Sequence, residues 1–382
     1  MVVTLSFLQQ YWWLIMSLLG GILVFLMFVQ GGQSLLYAIG RSPAERDLLI
    51  NSLGLKWKLT FTTLVTFGGA FFASFPVFYA TSFGGAFYVW MLILLLFVLQ
   101  GVSYEFHSKA GNLFGRRTYE WFLILNGIGG ALLIGTAVGT FFTGANFVVD
   151  RARMGTFGGD VTISYWTSPW HGLEAVTDYR NLLLGVTVVL LTRCLALQYF
   201  INNIGDKGIE WRSRKRLRPE AAAFVLCFVG FVVALAFSTG WNADYQGVIT
   251  REPFKYFDNF TAMPVVAGCF VAGVLAVLAG LSLDVFAGSR KGIWLSGGGT
   301  ILTVMSLLLL AGWNHTSFYP SLSDMQSSLT IANASSSRFT LLVMGYVSLL
   351  IPFVAWYIWY VWRAMNRRRL TAEDVKADPE SY

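Results

Sequence analysis

Apolar runs long enough to cross about 30 Å of hydrocarbon recur along this 382-residue chain, each bounded by polar stretches. They lie near 12–39, 58–80, 84–105, 119–144, 181–203, 219–239, 262–286, 292–313 and 339–362, which predicts an all-α polytopic membrane protein with about nine transmembrane helices. Residues 1–369 then form a transmembrane helical domain, and the polar, acidic stretch 370–382 a cytoplasmic tail expected to fray. Two longer connections, 145–180 and 240–261, are rich in Gly, Asp, Trp and Tyr and too polar to span. They are expected to lie over the bundle as interfacial segments.

The run from Trp57 to Ala80 carries a second pattern. Thr62, Thr66, Ala70 and Ser74 recur at every fourth position, with Gly69 and Ala73 beside them, and a helix presents that spacing on one face. Lipid tails are as apolar as leucine, so membrane helices associate through close backbone approach, which small residues permit. The face is therefore a candidate packing surface, either within the chain's own bundle or against a partner. Pro76 has no N–H to donate and bends the helix near its end.

Composition agrees with the membrane reading. The chain is 55% hydrophobic and 12% charged, against about a quarter charged for a soluble domain. A net charge of +7 would suit nucleic acid, but the basic residues are distributed as a membrane topology requires. Arg41, Arg46, Lys56 and Lys58, then Lys109, Arg116 and Arg117, then the run from Lys207 to Arg218, then Arg290 and Lys291, and finally Arg363 to Lys376 all fall on one set of alternate connections. The other set holds only Arg151, Arg153, Arg180, Arg251, Lys255 and Arg338. This predicts an outside N-terminus and an inside C-terminus, and leaves no separate basic surface for nucleic acid. Met1–Gln10 has no basic n-region and no A-x-A site follows it, so the first apolar run is read as a retained span.

Candidate chemistry is sparse. Cys194, Cys227 and Cys269 sit inside apolar runs without metal-site or disulfide spacing. Of the three histidines, His107 lies at a helix end, His171 in an outside loop and His315 just past the eighth span; none is at mid-membrane. No metal and no haem is expected on this chain. Ionisable residues inside a membrane are functional candidates because they are costly to keep there. Arg193, near the middle of its span, needs a carboxylate, carbonyls or water, and a secondary transporter with a midplane site near it is the alternative reading. Lys58, Glu105, Glu120 and Asp284 lie at span ends, where charged residues serve as interfacial anchors.

Three blocks carry a resemblance. Gly40 to Arg46 (GRSPAER), Asn51-Ser52, Trp57, the run Gly68 to Pro76 (GGAFFASFP) and Tyr79-Ala80 come first. Val102 to Lys109 (VSYEFHSK) and Ser328 to Ser336 (SLTIANASS), followed by Pro352-Phe353, complete the set. Together they resemble subunit II of cytochrome bd-type quinol oxidases. The resemblance implies two four-helix bundles plus one peripheral helix, and a place in a bacterial inner-membrane complex that oxidises quinol, reduces dioxygen to water and contributes to the proton gradient. It implies a haem-free chain that supports a haem-bearing subunit I, where haem b and haem d reside, with membrane lipids around it. A structural quinone and a small accessory subunit are left open.

The chain departs from the family pattern at three places. Gln30 stands where many members have the Asp of an F-D-x-G segment, Lys58 follows Trp57 where an acidic residue is usual, and His107 replaces an Arg. Gln does not titrate and Lys reverses the charge, so a proton route that runs through those carboxylates in relatives is expected to be absent or rerouted here. Gln30, Trp57, Lys58, Glu105, His107 and Arg193 are the candidate polar or proton-path positions. Thr62, Thr66, Gly69, Ala70, Ala73 and Ser74 are the candidate packing face.

Overall fold

The computed structural model describes residues 4–109, 111–151, 162–366 and 368–377. The first span is a near-continuous rod, α1 (Leu5–Leu26) running into α2 (Phe28–Gln33) through Met27; Thr4 caps its start by accepting the Phe7 N–H. A short α3 (Leu36–Ile39) leads to α4 (Pro43–Ser74), which begins with Pro43 in its first turn and a reciprocal Ser42/Glu45 capping box. The sequence predicts a helix from residue 58; these signals start it about four turns earlier, above the apolar run. At Phe75-Pro76 the chain bends into α5 (Pro76–Phe78) and a π-helical turn, Tyr79–Gly84. The Ser74 carbonyl at this break accepts the N–H of Ser336, 2.8 Å away.

The remaining long helices are α6 (Phe87–Phe106), α7 (Arg116–Thr143), α8 (Tyr179–Asn203), α9 (Lys207–Ala236), α11 (Pro264–Val285) and α12 (Gly292–Gly312), with a short α10 (Lys255–Ala262) before α11. The last span is broken into α13 (Arg338–Ser348) and α14 (Ile351–Met365), and α15 (Ala372–Ala377) follows. Among the described residues eight spans are long and apolar enough to cross a membrane, or nine with the bent α4 pair. The expected fraying of the tail is not seen over 372–377, where α15 packs on α4; residues 378–382 lie outside the described set.

The helices of the first four spans, α1/α2, α4, α6 and α7, pack together, as do α8, α9, α11 and α12. The groups join where α8 meets α2 and α7 and where α12 meets α1. Glycine makes the closest approaches possible: a Cβ on Gly127 of α7 would stand 2.5 Å from the Gln30 carbonyl oxygen of α2. The α13–α14 span is peripheral, and α14 buries none of its residues.

The buried apolar side chains form two hydrophobic cores. One is aromatic, with Trp13, Phe71, Phe75, Phe78, Phe141, Phe318 and Tyr319 in mutual ring contact. The other gathers Phe28, Leu53, Leu197, Tyr199 and Phe200. Beside the aromatic core lie two antiparallel hairpins, β1 (Phe147–Val149) with β2 (Ser164–Trp166) and β3 (Gly240–Ala243) with β4 (Ile249–Glu252), within the connections expected to cover the bundle. Residues 152–161 of the first connection lie outside the described set.

Candidate functional site

The first helical group holds a fully buried cluster of neutral polar side chains. Gln30 and Gln33 project from one face of α2, Gln100 and Tyr104 from one face of α6, and Asn126 from α7; each is at most 1% exposed. Gln100 Oε1 accepts from Gln30 Nε2 (2.7 Å), Gln33 Nε2 (2.8 Å) and Asn126 Nδ2 (2.7 Å). Gln33 Nε2 also donates to Tyr104 Oη (3.0 Å), and Gln33 Oε1 accepts from Asn126 Nδ2 (2.8 Å). Trp57 stacks flat on the Tyr104 ring, with centroids 5.7 Å apart. The groups joined here are amides and a phenol. They bind and orient one another, and an amide cannot carry a proton by titrating.

One helical turn beyond Tyr104, at the end of α6, the chemistry becomes ionic. Glu120 of α7, 1% exposed, accepts from Tyr37 Oη (2.6 Å), Arg46 Nε (3.0 Å) and Arg116 Nε (3.3 Å). Arg116 also pairs with Asp47. His107, buried at the end of α6, sits 3.8 Å from the Glu120 carboxylate and 3.9 Å from that of Asp47. Burial, the hydrogen bond to Glu120 and its negative charge all push the Tyr37 phenol above its ordinary value.

A third polar cluster lies in the second helical group. Gln198 of α8 donates to Asp284 Oδ2 (2.9 Å) and to the Gly280 carbonyl (3.0 Å), while Asp284 Oδ1 accepts the Gly292 N–H (3.0 Å) at the start of α12. On the neighbouring face Arg193 Nη2 bonds Glu220 Oε1 (2.7 Å), which also accepts from Arg216 Nε (2.8 Å). Arg193 is thus neutralised within the chain and gives a transporter site no support.

The sequence candidates therefore separate. Gln30, Trp57 and His107 fall in or beside the buried clusters, and Arg193 in an ion pair. Lys58 and Glu105 are exposed on the chain's surface. The Thr62/Thr66 stripe also points outward: Thr62, Thr66 and Gly69 are exposed, Ala70 and Ala73 half-buried, and only Ser74 is buried. The large side chains Leu64, Phe67 and Phe71 of α4 face its own bundle instead. Gln33, Gln100, Asn126, Glu220 and Gln198 escape the sequence reading; glutamines at 30 and 33 inside an apolar run were the available signal.

Comparison with known proteins gives the family. The profile of the cytochrome bd terminal oxidase subunit II family matches residues 8–365. The chain belongs to this family. Cytochrome bd-I ubiquinol oxidase subunit 2 of Escherichia coli K12 is 28% identical over 395 residues, covering 98% of each chain. Cytochrome bd ubiquinol oxidase subunit 2 of Bacillus subtilis is 29% identical over 326 residues, covering 83% of each. In fold, the chain is similar to one in the bd oxidase of Geobacillus thermodenitrificans, with a TM-score of 0.57 at 10% identity over 95% of this chain and 99% of that one. It is thus a subunit of a membrane quinol oxidase, an oxidoreductase complex that contains haem and a subunit I.

Proposed function

We propose that this chain is the haem-free subunit II that supports assembly and stability of a haem-bearing subunit I, with quinol as the substrate of the complex. The observation that carries the reading is the outward small-residue face of α4. A Cβ on Gly69 would meet nothing within 4 Å, and Thr63 and Thr66 spend their hydroxyls on their own helix carbonyls. The exposed Met91, Leu94, Leu95 and Val98 of α6 add to an apolar lateral surface on the same helical group. Small residues facing outward suit a second protein better than lipid, because they shorten the distance at which another helix can pack. The histidines support haem-free status. His107 lies among Glu120 and Asp47, His171 Nδ1 is 3.0 Å from the Gly85 carbonyl, and His315 stands edge-on to Tyr245.

The test is purification in mild detergent with a haem count per chain. All haem should travel with the larger subunit, and Gly69→Trp should abolish co-purification while this chain still reaches the membrane. Haem retained on this chain alone would refute the assignment. The proposed orientation, an N-terminus on the periplasmic side and a C-terminus in the cytoplasm, follows from Arg46, Arg116, Arg212, Arg214, Arg290 and Arg369 gathering at one end.

The cluster around Gln30 supports an absent or rerouted proton path through this chain. Replacing Gln30 or Lys58 with Ala should leave quinol-driven proton release near the parental value; a large loss in an intact complex would overturn this.

A further inference from the structure

Where α4, α8 and α14 converge near the inner surface, three pairs of side chains spaced one helical turn apart form two rungs. In the first rung Ser52 Oγ donates to Asn203 Oδ1 (2.8 Å), and Asn203 Nδ2 donates to Asn366 Oδ1 (3.2 Å). In the second, four residues along each helix, Lys56 faces the rings of Tyr199 and Trp362, its Nζ 5.9 Å and 5.7 Å from their centroids. Those two rings stand 6.5 Å apart. Lys56 is 1% exposed.

The first rung is largely matched in hydrogen bonds; the second is not. Lys56 Nζ and Trp362 Nε1 are both buried without an acceptor, and so is the Asn366 Nδ2 donor of the first rung, turned away from Asn203. All three are donors. Ring faces within 6 Å offset only part of the cost of burying an ammonium, and they are weak acceptors for an indole or amide N–H. The Glu210 carboxylate at this end of α9 is already shared among Arg214, Arg290 and Arg369. A cation and two further donors at one helix junction, each buried without a partner and with no acid among the described residues to receive them, call for an oxyanion.

We propose that this three-helix junction binds a phosphate group, supplied by the headgroup of a phospholipid in the inner-facing leaflet. Three observations favour a lipid as the source. Trp362, Asn366 and the basic Arg363, Arg368 and Arg369 mark the level at which the last span leaves the hydrocarbon. The α14 helix buries none of its residues, so acyl chains can run along it. Trp294 of α12, half exposed, stands 6.1 Å from Trp362 and carries aromatic surface from the junction to the exterior of the chain. Lys56 supplies the charge, and the indole and amide N–H groups fix the orientation. The site lies apart from the outward face of α4, so it does not depend on the subunit contact proposed above.

The test uses the purified oxidase complex, stripped of lipid by repeated detergent washing. Its melting midpoint is followed on addition of dioleoyl phosphatidylglycerol, the uncharged dioleoylglycerol with the same chains, or inorganic phosphate. The wild-type complex should rise by about 3 °C or more with phosphatidylglycerol and not with dioleoylglycerol. Lys56→Met, which keeps the side-chain length and removes the charge, should lose that rise. An equal, Lys56-dependent rise with inorganic phosphate would support the site and assign its phosphate to solution. A rise with dioleoylglycerol equal to that with phosphatidylglycerol, no rise at all, or an equal rise in Lys56→Met would overturn the proposal. If Lys56→Met fails to assemble, Trp362→Phe decides: it keeps the ring and removes one donor, and should shift the phosphatidylglycerol midpoint concentration upward several-fold. An unchanged midpoint would refute the site.

Discussion

The cluster around Gln100 and the cluster around Asp284 solve the same problem with opposite chemistry. Each ties helices together through a buried glutamine. In the first, every joined group is a neutral amide or phenol, and the oxygen of Gln100 collects three donors. In the second, a carboxylate is kept without a cationic side chain on its oxygens; it takes one N–H from Gln198 and one from the first residue of α12. The α12 N-terminus carries partial positive charge, so Asp284 acts as its cap from the neighbouring helix. A buried acid survives where backbone donors are free to meet it; where the donors come from amides, amides also suffice as acceptors.

The sharpest way to break this comparison is Gln100→Leu. It leaves donors of Gln30, Gln33 and Asn126 without their shared acceptor, at a cost of roughly 3 kcal/mol or more. A steep fall in assembled oxidase, read by complex yield and melting temperature, is the expected result. Asp284→Asn should cost less, about 1 kcal/mol, because an amide oxygen can still receive the Gly292 N–H while the charge facing the α12 terminus is lost. If the two substitutions had equal effects, the contrast between a neutral and a charged cluster would fail.

The smallest effect is expected at Tyr37, in the ionic cluster beside the Gln100 cluster. Its phenol is held above its ordinary value of 10.0, so the folded state binds that proton more tightly than the unfolded state. The Tyr37–Glu120 contribution is therefore complete below pH 10 and lost as pH rises through the raised value. Tyr37→Phe should lower stability by about 0.5 kcal/mol at neutral pH, because solvent at this partly exposed ring weakens the bond, and flatten the alkaline limb of a melting-temperature profile. An unaltered alkaline limb would contradict the bond to Glu120.

The spans and the family were legible because both rest on long, local patterns: apolar length for the helices, and blocks such as GRSPAER and SLTIANASS for the resemblance. The environment of each candidate was less so. Spacing placed Thr62, Thr66 and Gly69 on one face, but small residues permit close approach by any neighbour, and the bulk of Leu64, Phe67 and Phe71 decided which face turned inward. Arg193 announced its need for a partner, and Glu220 answered it from the following helix. The amide cluster went unread because glutamine and asparagine carry no charge to mark them as costly. Only the packing of α2, α6 and α7 reveals that five polar side chains meet.

The hydrogen bond from Ser336 to the Ser74 carbonyl bears on how the molecule is made. As the ribosome delivers the chain from its N-terminus, α4 enters the membrane with the end of its bent segment unfinished. The group that completes it lies just ahead of the final span. Gln9 and Trp12 of the first span likewise wait for Ser335 and Leu341. The first helical group is thus completed by residues that are made only after the whole of the second.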